Sequence, residues 1–557
     1  MSFCRRRQAA RCTAVLLAAA AAGAVTSGVI LADAAGPPLV HPLLPWHPAV
    51  LDEHGKLLAW YRPHAGLGYD HVLRLGWRFI ERRVPRDSKT GAKVYLLYPV
   101  FDERTLQGVY WQHNPAFLYA AFVDSLVSWY PYSGDRRAIA TVRTMLDYQL
   151  EHGTTPRNWA WPRVPFATSC AGDRRYGGCL AGMSRHFFGG GEPDKVGLLG
   201  LGYLRFYELT GERRYLEAAV SAGRALAKHV RPGDAKHTPW PFRVDMRTGA
   251  ALDGSQFGGM VVASVQLLDE LIRIGARNTP SLQRARRLAW SWMLDHQLNP
   301  KSTAWNRWSD FYEDVPHNPD SRNQASPTLT AYYLLLRGAA VDPSWREDAA
   351  SLQEWVRSSF GQGPFLEAWA IDEQRAPGRP GCCSPAGLGS TTSRWAAVNA
   401  LLYVRTGDPR ARELAVRSLN YATYFAASDG RISCCGRRGY NVYWFSDGYG
   451  DFLRSFSWAM SAMPELAPKG QDHLLGSTSI VQTVGYRPQH VEYWTFDRHT
   501  VDVLRLSYRP RQVQADGSTL VARDDLLREG YVVQPLDGGD YVIRIRHDNA
   551  RRIRVDG

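Results

Sequence analysis

A helix–turn–helix unit recurs along this chain, and the recurrence restricts the folds open to it. The clearest copy spans residues 191–230, GEPDKVGLLGLGYLRFYELTGERRYLEAAVSAGRALAKHV. Val196, Leu199, Tyr203 and Phe206 fall on one face at helical spacing. Leu209-Thr210-Gly211-Glu212 breaks the run, because glycine takes the left-handed exit conformation that other residues avoid. Tyr215, Leu216, Ala219, Ala222 and Leu226 restart the same period. Gly197, Gly200 and Gly202 keep the first helix slim enough for close neighbours. One hairpin cannot bury both its faces alone, so copies are required.

The copies are present. Turns fall near positions 134, 211, 275, 342 and 407, a spacing of roughly 65–77 residues and the signature of a helical repeat array. The pattern predicts helices over 116–129 and onward from Ile139, 258–274 and on to His296, 326–337 with 345–360, and 391–405 with 412–425. A last helix over 450–463 stops at Pro464, and its predicted partner is an early helix at 70–83, which closes a ring of six pairs. Gly134-Asp135-Arg136, Gly211-Glu212-Arg213 and Gly407-Asp408-Pro409-Arg410 share a glycine followed by an acid, which is expected to cap the second helix. After Pro468 the texture changes. Val491–Thr495, 501–506 and 541–546 alternate with period two between turns such as Asp516-Gly517, which predicts a small antiparallel sandwich. The expected organisation is a leader at 1–36, a helical barrel at 37–470 and a β domain at 471–557.

Arg5-Arg6-Arg7, an apolar run from Val15 to Leu31 and Ala32-Asp33-Ala34 read as an export signal, or as one uncleaved membrane anchor. Export to the cell envelope or exterior is the expectation. It implies disulfides among the six cysteines beyond the leader. Cys170 and Cys179 bracket a glycine-rich loop and are expected to pair, and Cys382-Cys383 to cross-link with Cys434-Cys435. A thiolate metal site from those four is the alternative, but vicinal cysteines do not have knuckle spacing. The formal charge of +14 favours anionic polymers, or simply reflects an arginine-rich composition. No dense basic stripe suggests nucleic acid as a partner.

The LTGERRYLEAA turn at Leu209–Ala219 and its relatives resemble the six-hairpin, (α/α)6-barrel glycosidase superfamily over roughly residues 65–465. That resemblance implies a mainly α fold, an (α/α)6 barrel followed by a small β-sandwich, and carbohydrate chemistry. Members include glycoside hydrolases, unsaturated uronate hydrolases, polysaccharide lyases and sugar epimerases. The reaction must therefore be argued from the site.

In such a barrel the loops entering the inner helices line the cleft, and here they are polar and aromatic. Glycoside cleavage uses two carboxyl groups on opposite sides of a sugar. The candidate acids are Glu192 or Asp194, Glu313 or Asp314, and Asp447 or Asp451. Each has a plainer alternative, since Glu192, Asp194 and Asp451 precede helices and Glu313-Asp314 sit in a long loop. Trp111, Trp308, Tyr312, Tyr443 and Trp444 are candidate sugar platforms. His113 and His186 are candidate substrate-binding or proton-transfer groups in a lyase or epimerase. Arg185, Arg307 and Arg394 are candidates to hold a uronate carboxylate. The 310–320 loop lacks EF-hand spacing and the Gly189–Gly191 run lacks a phosphate-loop Lys, so neither a metal nor a cofactor is expected. The expected partner is a poly- or oligosaccharide, with an acidic glycan as one option. Hydrolysis is the first expectation; lysis or C5 epimerisation is the second, and non-catalytic glycan binding the third.

Overall fold

The computed structural model describes the single residues 44, 91, 93, 105 and 170. It also describes the stretches 46–61, 64–86, 100–102, 108–109, 115–168, 177–180, 188–312, 316–373, 386–432, 442–444 and 449–557. Twelve α-helices lie among these residues: α1 (Ala65–Arg78), α2 (Pro115–Ser133), α3 (Arg137–His152), α4 (Pro193–Thr210), α5 (Arg213–His229), α6 (Val261–Arg273), α7 (Thr279–Trp292), α8 (Ala325–Arg337), α9 (Trp345–Phe360), α10 (Gly389–Thr406), α11 (Pro409–Thr423) and α12 (Gly450–Ala462).

Helices α2, α4, α6, α8, α10 and α12 pack in sequence around an inner ring, and α12 returns to α2. Their hairpin partners α3, α5, α7, α9 and α11 follow them along the chain, and α1 packs on both α12 and α11 to complete the outer layer. The inner helices are buried almost all round: along α4 the buried residues include Val196, Leu199, Leu201, Tyr203 and Phe206. The outer α5 buries one stripe, Tyr215, Ala219, Ala222 and Leu226, as an amphipathic helix must. Gly197 allows α4 to approach α6 closely, since a Cβ there would stand 2.7 Å from Ser264 Cα.

The turn chemistry is met unevenly. Gly211 and Gly407 both leave their helices in the left-handed conformation, with φ of 75° and 78°. Asp408 caps α11, accepting from Arg410 N at 2.9 Å. Glu212 makes no cap and pairs instead with Arg143 and Arg214, each at 2.8 Å.

Short antiparallel strands tie the rim loops together: β1 (Val100–Asp102), β2 (Gly108–Val109), β3 (Gly190–Gly191), β4 (Val244–Asp245), β5 (Gly361–Phe365), β6 (Ala368–Ile371) and β7 (Val442–Trp444). Strand β1 pairs with β2 and β7, β3 with β4, and β5 with β6. The glycine run at β3 serves this close pairing, because a Cβ on Gly191 would collide with Met246 Cε at 1.8 Å.

Nine strands follow α12: β8 (His473–Ser477), β9 (Val481–Arg487), β10 (His490–Thr495), β11 (Thr500–Leu506), β12 (Gln512–Ala515), β13 (Ser518–Thr519), β14 (Gly530–Pro535), β15 (Tyr541–His547) and β16 (Arg552–Asp556). They form two antiparallel sheets, ordered β13-β12-β16-β10-β9 and β14-β15-β11-β8. Leu474, Val491, Tyr493, Leu504, Ile543 and Ile553 fill the core of this β region. The sandwich seats against the C-terminal ends of the inner helices. His473 Nδ1 bonds the Tyr132 carbonyl at 2.8 Å, Gln482 donates to the Glu208 carbonyl at 2.8 Å, and Arg273 reaches Asp497 at 2.6 Å. That end of the barrel is therefore covered, and the rim at the helix N-termini is the end left to the loops.

Candidate active site at the rim of the inner helices

Helix α4 opens with Pro193, whose fixed φ suits the first turn. The Glu192 carbonyl accepts from the amides of Lys195 at 3.0 Å and Val196 at 3.1 Å, so the backbone starts the helix. The Glu192 carboxylate is not used as a cap. It turns inward with Lys195, one helical turn away. Lys195 Nζ lies 3.3 Å from Glu192 Oε2 and 2.8 Å from Asp194 Oδ2, and donates to the Phe311 carbonyl. The ammonium also sits 3.9 Å from the centre of the Phe311 ring. One cation thus gathers both acids and the facing loop.

The β3–β4 pairing brings in a second cation. Gly191 pairs with Val244, so Arg243 stands beside Glu192, with Nε 3.4 Å from Glu192 Oε1. Its Nη2 donates to the Tyr312 carbonyl at 3.4 Å, and Nη1 lies 4.0 Å from Asp253. Glu192, Lys195 and Arg243 are all fully buried. Burial pushes the Glu192 and Asp194 carboxyls upward, and the Lys195 charge pulls both back. The Asp194 side chain keeps 10% exposure, which makes it the accessible member of this pair.

The facing loop supplies a third acid. Asp310 adopts a left-handed φ of 56°, and its Oδ2 stands 2.9 Å from His317 Nδ1. Its other oxygen accepts from Asn318 N at 3.2 Å. Burial raises the Asp310 carboxyl, while His317 and then the Asn318 amide favour the ionised form. His317 remains 18% exposed. Farther along, Gln324 donates to the Tyr312 hydroxyl at 2.7 Å and accepts from Arg394 Nη2 at 2.5 Å. Arg394 also donates to Asp451. Arg454 Nε bonds the second Asp451 oxygen at 2.8 Å and Nη1 reaches Asp124 at 2.9 Å, while Arg205 pairs with Asp124. A line of charge therefore descends from the mouth into the lumen across α10, α12, α2 and α4.

The structure brings Glu192, Asp194 and Asp310 to one place, around Lys195 and Arg243. Asp451 lies deeper, held by two arginines. Trp308 is not an open platform: it is 0% exposed, its indole donates to Asn306 Oδ1 at 3.0 Å, and its ring packs near Trp355. A sugar stacks only on an exposed face, and Trp308 is core. Tyr312 is half-buried at the mouth. Tyr443 and Trp444 lie on β7, paired with Phe101 and Val100. Glu313, Asp314, Asp447, Trp111, His113 and His186 lie outside the described residues, as do Cys382, Cys383, Cys434 and Cys435. Cys170 and Cys179 are bonded to each other. Among the described residues, no three His, Cys, Asp or Glu side chains are grouped to hold a metal.

Lys195, Arg243, His317, Gln324 and the pair Arg454 and Asp124 were not singled out by the sequence pattern. The i, i+3 spacings of Glu192 with Lys195 and of Asp451 with Arg454 are the local signals available. Nothing local marks Arg243, which meets Glu192 only through strands of two residues each.

No protein-family model matches this sequence, and no curated protein does. Solved structures do match. A D-mannose isomerase aligns over 72% of this chain and 99% of its own, with a TM-score of 0.50 at 10% identity. The cellobiose 2-epimerase from Spirochaeta thermophila DSM 6192 aligns over 73% of this chain and 98% of its own, with a TM-score of 0.50 at 11% identity. At such identities the similarity establishes the fold. With its closed ring of six helical pairs, the chain has an (α/α)6-barrel fold, extended by a C-terminal β-sandwich.

Proposed function

We propose that this chain is a carbohydrate-active enzyme that takes its sugar at the rim formed by the inner-helix N-termini, and that its reaction is glycoside hydrolysis. One observation carries the reading: Lys195 binds Asp194 at 2.8 Å and also the carbonyl of Phe311, the residue next to Asp310. Lys195 thereby ties the acid on α4 to the loop that carries Asp310. Asp194 is the proton donor to the leaving oxygen, because burial raises it and its edge is accessible. Asp310, whose carboxyl burial raises while His317 and the Asn318 amide oppose that rise, is the partner that takes the proton from the attacking water. Glu192 stays behind them, held between Lys195 and Arg243.

The test is reducing-sugar release from a panel of neutral and acidic polysaccharides. Asp194→Asn and Asp310→Asn should each lower turnover at least a hundredfold, with thermal unfolding unchanged within a few degrees. Turnover that survives both changes refutes the assignment.

A second reading draws on the Asp310–His317 contact. A carboxylate 2.9 Å from an imidazole nitrogen is a pairing suited to moving a proton next to a carbonyl. This is the chemistry of an isomerase or epimerase, the activities named for the two matched structures. Deuterium uptake from heavy water without chain cleavage, lost in His317→Gln, would select it over hydrolysis.

A further inference from the structure

Of the three arginines expected to hold an acidic substituent, Arg185 lies outside the described residues, and Arg307 and Arg394 differ in role. Arg394 is buried and committed to Asp451 and Gln324. Arg307 is different. It is half-buried, and among the described residues it makes no ion pair. Its guanidinium carbon lies over Phe257, 4.0 Å from the ring centre, a contact that holds the group without neutralising its charge. Asp310 and Asp320 act on it only through space, and burial lowers its pKa. A partly desolvated cation of this kind gains more from an incoming anion than a solvated one does.

Two residues earlier stands Trp305. It is 46% exposed, whereas Trp308 on the same loop is fully buried. The loop fixes it locally: Trp305 N donates to the Ser302 carbonyl at 3.1 Å, and Asn306 N to the Gln297 carbonyl at 3.2 Å. In chain order the exposed Trp305 is followed by Arg307 and then by Asp310, whose charge acts on Arg307.

We infer that Trp305 and Arg307 form an outer subsite for a glycan that carries a uronate, the indole stacking on a sugar face and the guanidinium taking the carboxylate. This deepens the proposed sugar chemistry at the mouth and rests on it. A planar guanidinium offers a carboxylate two parallel, charge-assisted hydrogen bonds, stronger than those it gives the hydroxyls of a neutral sugar. An indole held in a turn offers a stacking surface at little cost in ordering. The substrate class that fits is therefore an acidic oligo- or polysaccharide long enough to occupy both the outer subsite and the mouth. The overall charge of +14 works in the same direction by drawing in anionic chains.

The test is calorimetric binding of oligogalacturonate and of its carboxyl-reduced counterpart to the full chain. The wild type should bind the acidic probe at least tenfold more tightly. Arg307→Gln should abolish that preference while leaving affinity for the reduced probe unchanged. Trp305→Ala should weaken both probes about tenfold. Equal binding of the two probes by the wild type, binding of neither, or a preference that survives Arg307→Gln overturns the inference. Turnover is followed separately with Asp194→Asn. A charge preference without turnover would remove the catalytic reading and leave the subsite standing, whereas turnover without a charge preference would do the reverse.

Discussion

Arg394 and Asp451 meet inside the barrel from the adjacent inner helices α10 and α12, and Arg454 takes the other oxygen of the same carboxylate. All three are buried. Removing one partner from such a set leaves charge uncompensated in a low dielectric, which costs about 3–5 kcal/mol. Asp451→Asn should therefore lose stability of that order in urea unfolding. A variant that folds with wild-type stability but loses turnover would instead assign Asp451 to the chemistry.

The ring was legible in the sequence because each hairpin repeats the same two signals, an apolar stripe at helical spacing and a turn such as the one at Gly211. The sandwich was legible from alternation: Val491 and Tyr493 point inward while Glu492 and Trp494 face outward. The site was legible only in part. Glu192 and Asp194 stood out because they open a helix, but Arg243 is distant in sequence and arrives through β3 and β4, which are too short to show a period. Asp451 looked like a rim acid because it follows an aromatic loop. One arginine partner, Arg454, lies one turn along the same helix, but the other, Arg394, comes from a neighbouring inner helix that no local pattern reveals.

Trp308 and Trp305 illustrate the same limit at shorter range, since both sit in one aromatic, polar stretch. Only the fold separates them. Trp308→Ala should cost about 3–5 kcal/mol through lost burial and the cavity left behind. Trp305→Ala should change stability by no more than about 0.5 kcal/mol, as an exposed residue. Paired thermal or urea unfolding of the two variants checks the contrast, and comparable losses in both would contradict it.

Lys195→Met tests the cluster at the mouth. Glu192 and Asp194 would lose the ammonium that opposes their burial, so their folded pKa values would climb further above the unfolded ones. An acid raised in this way keeps its stability contribution below the unfolded pKa and loses it as pH rises through the folded pKa. The variant's deficit should therefore be greatest at neutral pH, about 3 kcal/mol or more, and should shrink toward pH 5. Urea unfolding at the two pH values reads the difference. A deficit independent of pH would mean that Lys195 acts by packing alone.

Two histidines of the β-sandwich should give pH dependences of opposite sign. His473 stacks on Tyr132 with ring centres 3.9 Å apart at the barrel junction, and burial lowers its pKa to about 4. The unfolded chain takes up a proton near the ordinary histidine pKa of 6.5 while the folded chain does not, so stability is lost as pH falls from 6.5 toward about 4. The full loss is about 3 kcal/mol. His547 differs because Asp502, 3.1 Å from its Nε2, and the Ala550 carbonyl outweigh burial and raise its pKa. Its contribution is complete below the unfolded pKa and disappears as pH rises through the folded one. His473→Gln should therefore flatten the acid limb of a stability–pH curve, and His547→Gln the limb above pH 6.5. A curve in which the first substitution leaves the acid limb unchanged would show that the junction does not hold His473 neutral.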